Sequence, residues 1–89
     1  MAKTVRPIPP PASASLPDAQ AFGAWVRAAR TRAGLSILDA AALCGVSPMF
    51  LQDLEHGKPT AHLGKALAVA RQFGLDVGVR APLPVGDGP

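Results

Sequence analysis

The chain has 89 residues, a formal net charge of +3 and one cysteine, with a pI of about 9.8. That length allows at most one small domain, near the lower limit for an unaided core and with much to gain from dimerising. One thiol excludes an internal disulfide and fits a reducing compartment, and no apolar run approaches the roughly 20 residues of a membrane span.

No signal-peptide pattern appears, so the expected location is the cytoplasm. The basic balance permits a polyanion partner without establishing one. The apolar share of 48% is inflated by alanine, which favours helix but buries little area. The core is therefore expected to rest on Phe22, Val26, Leu35, Val46, Leu51, Leu54, Leu67 and Phe73.

Residues 1–17, MAKTVRPIPPPASASLP, are rich in Pro, Ala and Ser and read as a flexible, extended arm. A passive tail is the favoured reading. Lys3 and Arg6 offer a minor-groove contact as an alternative, and Val5 to Ile8 could add to a sheet edge. Residues 18–80 hold the domain. From Asp18 to Ala33 the residues Phe22, Val26, Ala29 and Ala33 recur at three- and four-residue steps, predicting a first helix that stops at Gly34. Arg27 and Arg30 lie off that stripe. Trp25 sits at its edge, half-buried.

Leu35 to Thr60 organises the rest. Ser36 is placed to cap a helix over Ile37 to Cys44, with Asp39 facing its free N–H groups and Gly45 ending it. After Val46, Ser47 caps a second helix that has Pro48 in its first position. That helix runs to about His56, before Gly57 and Pro59. Helix, glycine turn, helix is a layout that reads DNA. Small Ala41 belongs where the two helices cross. Cys44 is read as a packing residue rather than a redox sensor.

A fourth helix is predicted from Ala61 to Phe73 with Thr60 as its cap. It carries Leu63, Leu67, Ala70 and Gly74 on one face and Ala66, Val69 and Phe73 on another. Leu75, Val77 and Val79 alternate with polar residues through Arg80, the period of a strand. A lone strand is unstable in water, so its expected partner is its own copy across a two-fold axis. Residues 81–89 trail off as a flexible tail.

Ala40, Ala41, Gly45, Val46, Leu51, Leu54, Glu55 and Gly57 fall where the phage-repressor-like, Xre/Cro-type helix-turn-helix family has its core and turn residues. The chain resembles that family over roughly residues 18–80. Gly57-Lys58-Pro59-Thr60, Leu63-Gly64-Lys65 and Phe73-Gly74-Leu75 are similar to its HipB-like antitoxin branch. The fold expected is all-α, with four or five helices and a short C-terminal strand, residues 75–80, that pairs in a dimer.

The resemblance implies a homodimeric repressor on a palindromic DNA operator, cytoplasmic and nucleoid-associated. It also implies a HipA-like kinase toxin as partner and an operon under autorepression. It assigns base reading to Ser47, Pro48, Met49, Phe50, Gln52 and Asp53. Gln52 suits adenine and Asp53 suits cytosine N4, while Met49 and Phe50 suit a thymine methyl. Phosphate contacts fall to Ser36, Arg27, Arg30, Lys58, Thr60 and His62. Arg30 and Glu55 match a structural ion pair of the family.

Two departures matter. Relatives often carry a phosphate-gripping Gln where Ile37 stands, and more polar residues where Pro48 and Met49 stand. Ile37, Leu38 and Leu43 make helix 2 unusually apolar, a candidate surface for a protein partner or for the N-terminal arm. An interaction module without tight operator binding and a stand-alone phage-type repressor are therefore the alternatives. No catalytic constellation, cofactor loop or metal-ligand spacing is present, so no enzyme, cofactor or metal is expected.

Overall fold

The computed structural model describes residues 5–12, 15–16 and 18–79. Among them are four helices and no strand: α1 Ala19–Arg32, α2 Ile37–Cys44, α3 Pro48–Glu55 and α4 Leu63–Gln72. The all-α expectation holds; a fifth helix is not formed among these residues.

Local chemistry sets the boundaries. Asp18, Ser36 and Ser47 each accept a hydrogen bond from the backbone N–H three residues on, capping α1, α2 and α3. These N–H groups have no partner within the helix, so a side-chain acceptor there is stabilising. Each helix ends in the same paired bonds. At α2 the Val46 N–H reaches the Ala41 carbonyl at 3.0 Å and the Gly45 N–H reaches that of Ala42 at 3.3 Å. Gly45 has φ +70°, a left-handed conformation that glycine adopts without a Cβ penalty.

The start of the fourth helix differs from expectation. Lys58 to Ala61 close a turn, with the Ala61 N–H on the Lys58 carbonyl at 3.4 Å. The helix begins two residues later than predicted, and its cap is His62, not Thr60. The His62 Nδ1 accepts the Lys65 N–H at 3.2 Å. A ring nitrogen can do this only while unprotonated.

The core is smaller-grained than the sequence suggests. Val26, Leu51 and Val69 are its largest fully buried side chains, and Ala40, Ala41, Ala66 and Ala70 fill the space between them. Phe22, Leu35, Val46 and Phe73 only half-bury against this centre, and Leu67 is half-buried. Alanine matters here because it lets the helices approach closely, so that a few large side chains close the core. Burying each of those large residues contributes about 1.5–3 kcal/mol.

Helix α1 packs on α3, while α2 contacts both α3 and α4. Gly23 sits at the α1–α3 contact, where an added Cβ would overlap the Leu54 carbonyl oxygen and lie 2.7 Å from that of Glu55. Cys44 is half-buried against the core. Burial pushes its thiol above the ordinary range, which disfavours the reactive thiolate.

The terminal segments bear on two expectations. Residues 5–12 form neither helix nor strand, as their prolines require, yet they are seated. The Ile8 N–H donates to Thr31 Oγ1 at 2.9 Å. The segment is thus tied to α1. Residues 75–79 form no strand in the single chain. Leu75 packs on the core, while Val77 and Val79 are 38% and 101% exposed; a strand without a partner has no ladder to join. Lys3, Arg80 and residues 81–89 lie outside the described residues.

Candidate nucleic-acid interface

Between α2 and α3 the chain turns through 109° over the three residues Gly45, Val46 and Ser47. That lies within the range of helix-turn-helix pairs. Ala40 and Ala41 are buried in the joint at 0% and 1% exposure, so no side chain holds the two helices apart.

The orientation of α3 is set by its buried face, Leu51, Leu54 and Glu55. Glu55 is 7% exposed and Arg30 is 8% exposed. Arg30 Nε lies 2.6 Å from Glu55 Oε2, and Nη2 lies 3.0 Å from Oε1. Arg30 Nη1 donates to the Leu35 carbonyl at 2.8 Å. One guanidinium therefore ties α1, the α1–α2 turn and the end of α3 together. A bidentate pair fixes direction as well as distance, so α3 cannot roll without breaking it.

This use of Arg30 is the structural pair expected of it, and it leaves little of the guanidinium for the expected phosphate contact. The side chain is buried, and three of its N–H groups are committed inside the protein. The remaining phosphate candidates are distributed differently. Arg27, Lys58, Thr60 and His62 are exposed and Ser36 is half-buried. The Ser36 hydroxyl oxygen accepts the Asp39 N–H at 3.1 Å, and His62 is spent in part on its cap. Lys58 Nζ lies 3.5 Å from Asp53 Oδ2. Both partners of that pair are exposed enough to separate at little cost.

The base-reading candidates also divide. Ser47, Pro48, Met49 and Gln52 are exposed, and Asp53 is half-exposed; Met49 is 70% exposed. The Ser47 hydroxyl oxygen accepts the Phe50 N–H at 2.9 Å. Phe50 differs from most of the others in being half-buried. It packs against the core, with Lys65 Nζ 5.9 Å from its ring centroid. Helical periodicity puts Pro48, Met49, Gln52, Asp53 and His56 along one outer face. His56 is exposed and was not among the expected readers. Its spacing of four from Gln52 is the signal that finds it.

The candidate partner surface on α2 is uneven. Leu38 and Leu43 are 68% and 55% exposed, but Ile37 packs against the core. Among the described residues no group of three or more His, Cys, Asp or Glu is arranged to hold a metal ion. None of the single helices among them is long and apolar enough to cross a membrane.

Comparison with known proteins agrees with this geometry. Residues 21–83 match the family model described as a helix-turn-helix domain. An uncharacterised HTH-type transcriptional regulator, y4mF of Sinorhizobium fredii (strain NBRC 101917 / NGR234), is 42% identical over 61 residues. That match spans 68% of this chain and 80% of the relative.

Among solved structures, the restriction-modification controller protein C.AhdI from Aeromonas hydrophila is 29% identical with a TM-score of 0.58, covering 66% of this chain and 86% of its own. The clp gene regulator ClgR from C. glutamicum is also 29% identical with a TM-score of 0.60, covering 73% and 85%. A HipB–O2 20mer complex gives a TM-score of 0.69 at 10% identity, covering 81% and 100%, a likeness of fold alone. With its capped helix pair, 109° turn and buried Arg30–Glu55 clamp, the chain belongs to the Xre/Cro-type helix-turn-helix family of DNA-binding transcriptional regulators.

Proposed function

We propose that this chain is a sequence-specific repressor that binds a palindromic operator as a homodimer. The observation that carries the reading is the outer face of α3. Pro48, Met49, Gln52, Asp53 and His56 project there, away from a helix held in place by Arg30 and Glu55. Such a helix lies in the major groove, and two of them a helical turn apart read a two-fold site. Phosphates would be met by Arg27, Lys58, Thr60, backbone N–H groups and the free edge of His62. With few base contacts available, DNA shape would carry part of the selectivity.

Dimerisation would come from residues 75–79, whose alternating Leu75, Val77 and Val79 lack a partner strand in the single chain. The finer assignment follows the HipB-like motifs at Gly57 to Thr60, Leu63 to Lys65 and Phe73 to Leu75. On it, the protein is the antitoxin of a HipA-like kinase and represses its own operon from the cytoplasm, on the nucleoid. A second reading has one observation in its favour. Leu38 and Leu43 are exposed apolar residues on α2, and a partner protein covering them would make the domain an interaction module.

Gln52→Ala tests the base-reading assignment. A bidentate Gln–adenine contact is worth about 1–3 kcal/mol of discrimination. Affinity for the operator is expected to fall by roughly 5- to 150-fold, with little change on a scrambled duplex. Unchanged operator affinity with specificity intact would remove Gln52 from the reading set.

A further inference from the structure

Helix α1 has a second buried stripe that faces no helix. Gly23, Val26 and Arg30 turn toward α3, but Ala28 and Thr31, 5% and 4% exposed, do not. They share a side with Ala24, and the proline-rich segment 5–12 lies across it. Within that segment Val5, Ile8 and Pro11 are half-buried, whereas Arg6, Pro7, Pro9 and Pro10 are exposed. A repeat of three is the period of a polyproline II helix, which presents one residue per turn to a surface. The small side chains of Ala24 and Ala28 leave room for it.

The register of this strap is pinned. The Ile8 N–H donates to Thr31 Oγ1 at 2.9 Å, and the Thr31 hydroxyl in turn lies 3.0 Å from the Arg27 carbonyl. Leu16 lines a hollow with Ala19 and Phe22 at the start of α1, while Ile8 sits near its end. The strap therefore runs antiparallel to α1, and residues before Ile8 lead toward the α1–α2 turn. Arg6 stands two residues beyond the pin, roughly 6 Å at the rise of a polyproline helix. That distance carries it beyond Thr31 to the level of the α1–α2 turn.

The charge at this end of the molecule is mostly basic, with Asp39 in the first turn of α2 as its exposed acid. Arg6, Arg27 and Arg32 are exposed, and among the described residues the ion pairs are Arg30–Glu55 and Lys58–Asp53. The Glu55 carboxylate is thus already taken. In the docking that a helix-turn-helix uses, the first helix of the pair lies across the DNA backbone, and here that helix follows directly on the α1–α2 turn toward which the strap leads.

We propose that the strap is part of the DNA-contacting surface, holding Arg6 at the level of the α1–α2 turn as a phosphate contact. This rests on the DNA-binding reading above. Arg6 then adds affinity without sequence preference, because a phosphate contact carries no base information. Prolines on both sides of the pin reduce the freedom lost when it binds.

The test is an anisotropy titration of the full chain on the upstream duplex and on a scrambled one, across a salt series. Arg6→Ala should weaken binding to both alike and flatten the slope of log K against log salt by about 0.9, one phosphate. Arg6→Lys should restore the slope. Thr31→Val, which removes the acceptor for Ile8, should flatten it equally, and the double variant should add nothing further. An unchanged slope for Arg6→Ala, in a chain whose wild type binds specifically, overturns this proposal alone. Failure of the wild type to prefer its own upstream duplex overturns the DNA reading, and the proposal with it.

Discussion

Glu55→Ala is expected to lower the stability of the domain by about 3–5 kcal/mol, the usual cost of stripping one partner from a buried ion pair. The carboxylate meets Arg30 through two bonds of 2.6 and 3.0 Å, and both residues are less than a tenth exposed. Without Glu55, the guanidinium remains buried with only the Leu35 carbonyl to answer it. A domain of this size has roughly 5–15 kcal/mol in all, so the variant should sit near its unfolding threshold. Urea denaturation followed by circular dichroism measures it. Replacing both residues together, Arg30→Met with Glu55→Leu, should recover much of the loss, since an apolar pair carries no desolvation penalty. A loss below about 1 kcal/mol for Glu55→Ala would mean the pair behaves like an exposed one.

Gly23→Ala should also destabilise, against the sign expected of a mid-helix glycine. Helix propensity alone predicts a gain of about 1 kcal/mol. At this position the new methyl would meet the carbonyl oxygens of Leu54 and Glu55, which are backbone and cannot swing aside. Forcing α1 from α3 costs about 1–3 kcal/mol net, in line with other overpacked sites. It would also stretch the Arg30–Glu55 bonds, so the variant should lose DNA affinity along with stability. A thermal midpoint at or above that of the wild type would show that α1 and α3 do not approach this closely.

Much of the architecture was legible because it is written in punctuation. Ser36 and Ser47 before the helices, Pro48 inside one and glycines after them are local signals, and α2 formed over the range they predict. The Arg30–Glu55 geometry was legible only through family resemblance, since no local pattern joins residues 25 positions apart. What sequence did not disclose depends on tertiary approach. Gly23 looks like a flaw in a helix until the neighbouring carbonyls are placed beside it. The alanines look too small for a core until the helices close on them. Thr60 is the better cap by residue type, yet the turn at Lys58 to Ala61 consumes it and passes the role to His62. The three-residue rhythm of Val5, Ile8 and Pro11 becomes meaningful once Thr31 is seen to hold it.

The interface divided along the same line. The exposed face of α3 follows from helical periodicity, which separates Met49 and Gln52 from Leu51 and Leu54. Phe50 stands between the two faces, because an aromatic ring at the edge can pack on the core and still keep part of its surface exposed. Arg30 shows its structural role most plainly, because three of its five N–H groups are spent on Glu55 and Leu35.

The most direct test of the central claim is a fluorescence-anisotropy titration of the wild-type chain on the DNA upstream of its own gene, against a scrambled duplex, at two salt concentrations. A sequence-reading α3 predicts a preference of roughly a thousandfold or more for the upstream duplex, with affinity falling as salt rises. Equal, weak binding to both duplexes would contradict the claim that the chain is an operator-binding repressor on its own.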